Sequence, residues 1–310
     1  MEEIKYCAIC GSSDTRLLYT GHDRLHNEEG EFNLVECQNC ELIYLNPRPN
    51  REEIDRYYPQ DYISYPNAIE DEPNWIKRLD RQYGLHKRVS QVIRRVGRSG
   101  RILDIGCATG IFLNGMHQKG WEAYGVEPSH YAAEYARQHF NLAITNGYLE
   151  DGKFADSFFN AVSMWDVLEH VPDPLDTLTE ISRILAPGGW LVLSLPNPES
   201  WERTWFGQYW AGWDVPRHFH LFNRHVLANI LQQTGFRIKE IVSFTGRHGV
   251  LVLNLQFWLG STSLSTGTQQ RLVKLASSIP ARILTYPFYA IADSLNKSST
   301  MVIFAEKVND

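Results

Sequence analysis

From residue 100 onward, short apolar runs alternate with amphipathic stretches. "RILDIG" (101–106) reads as a strand, and "GIFLNGMHQKG" (110–120) as a helix ended by glycine. "WEAYGVEP" (121–128) is a second strand, and "SHYAAEYARQHF" (129–140) a helix opened by Ser129 as its cap. "LAITNG" (142–147) and "FNAVSMWD" (159–166) are strands three and four. The helix "PLDTLTEISRIL" (174–185) and a fifth strand, "GWLVLSLP" (189–196), follow. After the helix "RHVLANILQQTGF" (224–236) come two further strands, "RIKEIVSFTG" (237–246) and "STMVIFAEK" (299–307). Strands that alternate with helices in this way predict an α/β fold with a doubly wound, mostly parallel, seven-stranded sheet.

The pattern differs on either side of that block. Residues 1 to about 45 are turn-rich, with short alternating runs such as "TRLLYT" and "NLVECQNCELIYL" that read as small hairpins carrying cysteines at their turns. An extended proline-tyrosine arm with one short helical piece, "NPRPNREEIDRYYPQDYISYP", comes next. Helical spacing from about 75 to 97 leads into the main domain, so we divide the chain into a module with its arm (1–75) and a main domain (76–310). Residues 248–297 are far too long for a simple connection and too rich in apolar side chains for a solvated loop, which predicts an insert with helices of its own. Arg271, Lys274 and Arg282 interleave with those apolar residues. The insert is therefore either a helical layer, packed on the sheet or on a second subunit of a homodimer, or an amphipathic face that rests on a membrane.

Composition narrows the classes. A net charge of −6 argues against a general nucleic-acid binder. No run is long and apolar enough to span a bilayer, and "MEEIKYCAIC" lacks the pattern of a signal peptide, so we expect a cytoplasmic protein. Four of the five cysteines form two pairs, Cys7-x-x-Cys10 and Cys37-x-x-Cys40. In this setting paired C-x-x-C reads as a metal site rather than a disulfide framework. Four thiolates on two tight turns can surround one Zn²⁺, with no position left for water, so the zinc would be structural.

The turn after the first main strand, Gly106-Cys107-Ala108-Thr109-Gly110, does not match the G-x-G-x-x-G of dinucleotide loops. Its two glycines, with Ala108 between them, suit a ligand end smaller than a pyrophosphate. Glu127 ends the second strand, where a carboxylate can accept from both ribose hydroxyls. Asp104 to Gly110, Glu127-Pro128, "WDVLEHVPDP" and "LAPGGWLVLSLPN", in that order, resemble class I S-adenosylmethionine-dependent methyltransferases over about residues 98–240. That resemblance implies a Rossmann-like fold and a cofactor held by Asp104, Gly106, Cys107, Ala108, Gly110, Glu127, Pro128, Leu149, Trp165, Asp166 and Val167. Ala108 stands where the family most often has glycine. Tyr148 stands where many relatives have an acid facing the adenine amino group, so adenine recognition would rest on stacking and on backbone near Leu149. The cysteine pairs resemble the zinc-ribbon-like start of several methyltransferases that act on ribosomal RNA or on sugars and glycans.

Methyl transfer to a hydroxyl needs alignment and a base. "WDVLEHV" offers Asp166 and Glu169 at i, i+3 spacing on one helical face, followed by His170. It resembles the ubiquinone-type O-methyltransferases, whose members carry a related E-H pair, and also the E-x-x-E-H metal sites of other O-methyltransferases. A second cluster lies in "ESWERTWFGQYWAGWDVPRHFHLFNRH", with Trp201, Trp205, Trp210 and Trp213 before His218 and His220. It reads either as an aromatic lid over a substrate or as packing against the cysteine module. The expected activity is methylation, most simply at oxygen, of a small-molecule, glycan or lipid-linked acceptor. No nucleic-acid partner is expected, while a peripheral membrane contact and a homodimer remain open. The rivals are an RNA methyltransferase that docks through the zinc module and a non-catalytic cofactor-binding module.

Overall fold

The computed structural model describes residues 1–58, 67–97, 99–245 and 247–308. The arm's second half, 59–66, lies outside the described residues. The chain gathers into two compact units, each built from separated stretches: Met1–Tyr57, Leu195–Leu227 and Ile241–Val302 in the first, Tyr58–Ser194, Ala228–Glu240 and Ile303–Asp310 in the second.

In the first unit, β1 (Thr15–Gly21) and β2 (Phe32–Cys37) form an antiparallel hairpin, and β3 (Ile43–Leu45) pairs antiparallel with β2. The free edge of β3 would expose unpaired backbone. It is covered instead by β9 (His220–Leu221), in the register Ile43↔Leu221 and Tyr44↔His220. The inward side chains Phe32, Leu34, Ile43 and Leu45 make one core with Trp210, Trp213, Val215 and Phe219. Tyr19 stacks on Trp213 at 5.3 Å. The aromatic run is therefore split in role. Trp210 and Trp213 are buried as interior packing against the cysteine module rather than a lid, covering the apolar face of the small sheet together with Tyr57. Trp205 is exposed and stacks with Trp201.

The expected helical insert is present as α7 (Arg247–Gly260), α8 (Thr266–Ala276) and α9 (Ile279–Ser294). A buried carboxylate fastens it. Glu202, on α5 (Trp201–Phe206), accepts from Asn254 Nδ2 at 2.6 Å and Tyr289 Oη at 2.8 Å, while Asn254 Oδ1 accepts from the Ala211 amide at 2.6 Å. Burial pushes the Glu202 pKa up. The carboxylate is retained there by donors from two helices of the insert.

The second unit carries α1 (Trp75–Val96) and most of the larger sheet. That sheet comprises β4 (Gly100–Ile105), β5 (Trp121–Glu127), β6 (Ala143–Asn146), β7 (Phe159–Trp165), β8 (Leu185–Pro196), β10 (Phe236–Val242) and β11 (Thr300–Lys307). Its order is β10-β11-β8-β7-β4-β5-β6, and the pairs β6–β5, β5–β4, β4–β7 and β7–β8 are parallel. The chain enters at β4, moves outward through β5 and β6, then returns to β7 on the other side. This reversal opens a crevice beyond the carboxyl ends of β4 and β7, the usual ligand position in such sheets. Helices α2 (Ile111–His117), α3 (His130–Phe140), α4 (Pro174–Ile184) and α6 (Arg224–Gln233) complete the alternation, and Ser129 caps α3 as expected.

Arg217 is the most demanding group in the first unit. Its guanidinium is fully buried, pairs with Asp23 at 2.6 and 3.1 Å and with Asp214 at 2.7 Å, and donates to the Tyr57 carbonyl at 3.4 Å. Burial works upward on the Asp23 pKa, but the hydrogen bonds and charge of Arg217 hold it below the ordinary value. Asp23→Ala should cost about 3 kcal/mol, because removing one partner leaves a buried charge under-compensated. The difference from wild type should be full near neutral pH, should begin to shrink as pH falls below about 4, where the unfolded chain's carboxyl takes up a proton, and should vanish as pH falls through the lower folded value. Chemical denaturation at both pH values checks this; equal stabilities at pH 7 would contradict it.

Candidate functional site

The turn after β4 is shaped by backbone that ordinary side chains resist. Gly106, Ala108 and Gly110 have φ of 66°, 48° and 78°. A Cβ at Gly106 would meet Val167 Cγ2 at 2.6 Å, so the loop after β7 stands directly on the loop after β4. The Val126 carbonyl accepts from the Gly106 and Cys107 amides at 2.8 and 3.2 Å, which stitches the turn to β5. Glu127 then holds both sides: Oε2 accepts from the Ala108 amide and Oε1 from the Ser129 amide, each at 2.8 Å. The Cys107 thiol is buried, where desolvation raises its pKa, and its sulfur fills the space above Gly125. Its backbone, not its sulfur, belongs to the loop surface.

Two carboxylates are sunk in this turn. Asp104 accepts from Ser163 Oγ at 2.6 Å, and burial pushes its pKa up to about 7 against the opposing pull of Ser163 and Arg88, with Glu127 adding to the rise. Burial likewise raises Glu127, offset in part by its two amide donors. Acids displaced in this way beside a crevice mark a candidate functional site.

Beyond β7, Asp166 has φ of 56°; its amide donates to the Ser194 carbonyl at 2.9 Å and its Oδ1 accepts from Ser194 Oγ at 2.8 Å. The expected shared helical face of Asp166 and Glu169 is corrected here. The only helix is a single 3₁₀ turn, Leu168–His170, and Asp166 precedes it in left-handed backbone. The spacing suggested helix, but Pro172 and Pro174 leave no room for an α-helix before α4. Glu169 is buried, and His170 Nδ1 lies 2.9 Å from the Tyr58 hydroxyl. Leu149 is buried, whereas Tyr148 and Pro128 are exposed.

Arg88 and Tyr58 were missed from the sequence. Arg88 lies 4.6 Å over the Trp165 ring, which itself meets Phe112 edge-on at 5.0 Å. Desolvation lowers the Arg88 pKa, while the charges of Asp166 and Asp104 work to raise it. A signal existed. Leu85, Arg88, Val89 and Val92 have i, i+3, i+4, i+7 spacing, with an arginine in an otherwise apolar stripe of α1.

His218 and His220 belong to the first unit. His218 Nδ1 is 2.9 Å from the Gly212 carbonyl, and His220 is buried within β9 opposite Tyr44. In the same unit, Cys7 Sγ lies 3.5 Å from Cys40 Sγ and Cys10 Sγ 3.5 Å from Cys37 Sγ, and all four sulfurs fall within 4.8 Å of one another. Two matching turns set this up: Gly11 donates to the Cys7 carbonyl and Glu41 to that of Cys37, both at 2.9 Å. The four could hold one tetrahedral ion.

The Asp104 burial has a measurable consequence. A carboxyl whose pKa is raised on folding costs stability as pH rises from about 4 to about 7, the interval between its unfolded and folded values. Asp104→Asn removes that cost, on the order of 4 kcal/mol at most. The variant should gain thermal stability over wild type at pH 8 and lose that gain by pH 4 in the ligand-free protein. A gain independent of pH would count against a buried ionised Asp104.

Comparison with known proteins gives the family. A family model described as a methyltransferase domain matches residues 78–241. A ubiquinone biosynthesis O-methyltransferase of Pseudomonas aeruginosa is 28% identical over 171 residues, covering 51% of this chain and 74% of the relative. The protein of the same name from Alkalilimnicola ehrlichii is 35% identical over 141 residues, 43% of this chain and 57% of its own. A crystal structure from Bacillus halodurans described as a methyltransferase superposes with a TM-score of 0.50 at 17% identity, over 73% of this chain and 99% of its own, and so supports the fold. With more than half its length matched by the family model, the chain belongs to the methyltransferase domain family and is an S-adenosylmethionine-dependent methyltransferase.

Proposed function

We propose that the enzyme methylates a hydroxyl of a small-molecule, glycan or lipid-linked acceptor, with His170 as the base. S-adenosylmethionine, when bound, supplies a methyl group on a positively charged sulfonium. The residues around the crevice fit it by charge. Asp104 and Glu127 are desolvated acids suited to the cofactor's ammonium and ribose hydroxyls, and Arg88 is suited to its carboxylate. Loop backbone from Gly106 to Gly110, together with Pro128, Leu149, Trp165, Asp166 and Val167, completes the assignment. The Tyr58–His170 pair is the observation that carries the base. When Nδ1–H donates to Tyr58 Oη, Nε2 is the nitrogen that can accept the acceptor's hydroxyl proton. Curated relatives named as ubiquinone O-methyltransferases support transfer to oxygen.

Transfer of labelled methyl to extract metabolites tests the reading. His170→Ala should lower turnover by about 10²–10⁴ with cofactor affinity unchanged, and Tyr58→Phe should shift the pH profile. Glu127→Ala should instead weaken cofactor binding by about 1.5–3 kcal/mol in calorimetry. Near-normal turnover of His170→Ala would remove it as the base.

We also infer that Cys7, Cys10, Cys37 and Cys40 hold one structural Zn²⁺. The crossed sulfur pairs at 3.5 Å and the four-thiol donor set support it. Metal analysis of protein purified without chelator should find about one zinc per chain, and Cys37→Ser should lose it. Metal-free protein with unchanged melting would contradict the assignment.

A further inference from the structure

The insert has two unlike faces. Toward the interior, α9 presents Tyr289 and Ala292, both buried, with Tyr289 held by Glu202. Around the rest of the helix apolar side chains stand in solvent: Ile283 is 68% exposed, Leu284 81%, Tyr286 66% and Ile291 55%. On α8, Leu272 and Leu275 are exposed as well. Six large apolar side chains on two consecutive helices exceed the scattered exposure normal for a protein surface.

Charge is sorted in the same place. Residues 241–292 contain no aspartate or glutamate, although the whole chain carries a net charge of −6. Arg271, Lys274 and Arg282 lie exposed beside the apolar stripe. This pairing of protruding apolar side chains with cations alone complements an anionic bilayer surface. A second copy meeting the same patch across a two-fold axis would bring the three cations against their equivalents. No described helix is long and apolar enough to cross a membrane, and α9, at 16 residues or about 24 Å, is suited to lie in the interface.

We propose that α8 and α9 form an in-plane docking face for anionic lipid bilayers. Apolar side chains enter the acyl boundary while Arg271, Lys274 and Arg282 meet the headgroups. The assignment is independent of the methyl acceptor and of the base.

Flotation of the full chain with phosphatidylcholine vesicles containing about 30 mol% phosphatidylglycerol tests it. Wild type should float at low salt, be released at about 0.5 M salt, and bind pure phosphatidylcholine about tenfold more weakly or less. The double variant Ile283→Glu, Leu284→Glu should lose binding by about tenfold or more with an unchanged melting temperature, since both side chains are exposed. Neutralising Arg271, Lys274 and Arg282 to Gln should weaken binding about fivefold per residue. Failure of wild type to float at low salt, or flotation indifferent to the double variant, overturns the proposal. So does a wild-type dimer that ignores vesicles and is split into monomers by the same double variant, which would assign the face to a second copy.

Discussion

Two carboxylates, Asp104 and Glu127, are buried at the carboxyl ends of adjacent parallel strands, and the chemistry of the second unit is arranged around that cost. Parallel strands bring their carbonyl ends to one edge, where Glu127 ends β5 and Asp104 is the next-to-last residue of β4. Neither can be desolvated cheaply. Ser163, the Ala108 and Ser129 amides and the Arg88 charge each offset part of the penalty without abolishing it. The remainder shows in both acids as a pKa raised above the ordinary carboxylate value. Glycine at 106 and 110 follows from the same arrangement, because the loop must turn back over β5 while Val167 and Ala136 crowd its outer side.

The first unit answers a different problem. Its four-stranded sheet is too small to bury one face alone. It takes Trp210, Trp213, Val215 and Phe219 from a segment some 165 residues later and closes its edge with β9. Arg217 is the electrostatic counterpart of that packing, reaching Asp23 across 194 positions. A buried ion pair of this kind contributes little net stability over apolar packing, but leaving either member alone is costly. It therefore selects one docking of the segment over others. The four cysteines sit at the turns of the same sheet, so an ion there would brace a structure that the aromatic core already organises.

The α/β alternation, the seven strands, the Ser129 cap, the glycine turn and the paired cysteines were all legible in the chain. Each depends on contacts close in sequence or on a strict period, so spacing alone reports them. Helical spacing misled at "WDVLEH", where two nearby prolines confine the turn after β7 to 3₁₀ geometry. The aromatic run after β8 was ambiguous because sequence shows that rings are clustered without showing which ones find a sheet to cover.

The sequence by itself therefore determined the class of the fold, the place of the glycine turn after β4 and the capacity of four thiols to gather. Tertiary structure decided the rest. Tyr58 meets His170 across 112 positions, Arg88 comes to lie over Trp165, and Glu202 collects donors from Asn254 and Tyr289. Long-range meetings such as these have no period or spacing to announce them. They exist because packing removes water from particular polar groups, and each group then requires whatever partner the fold has brought within reach.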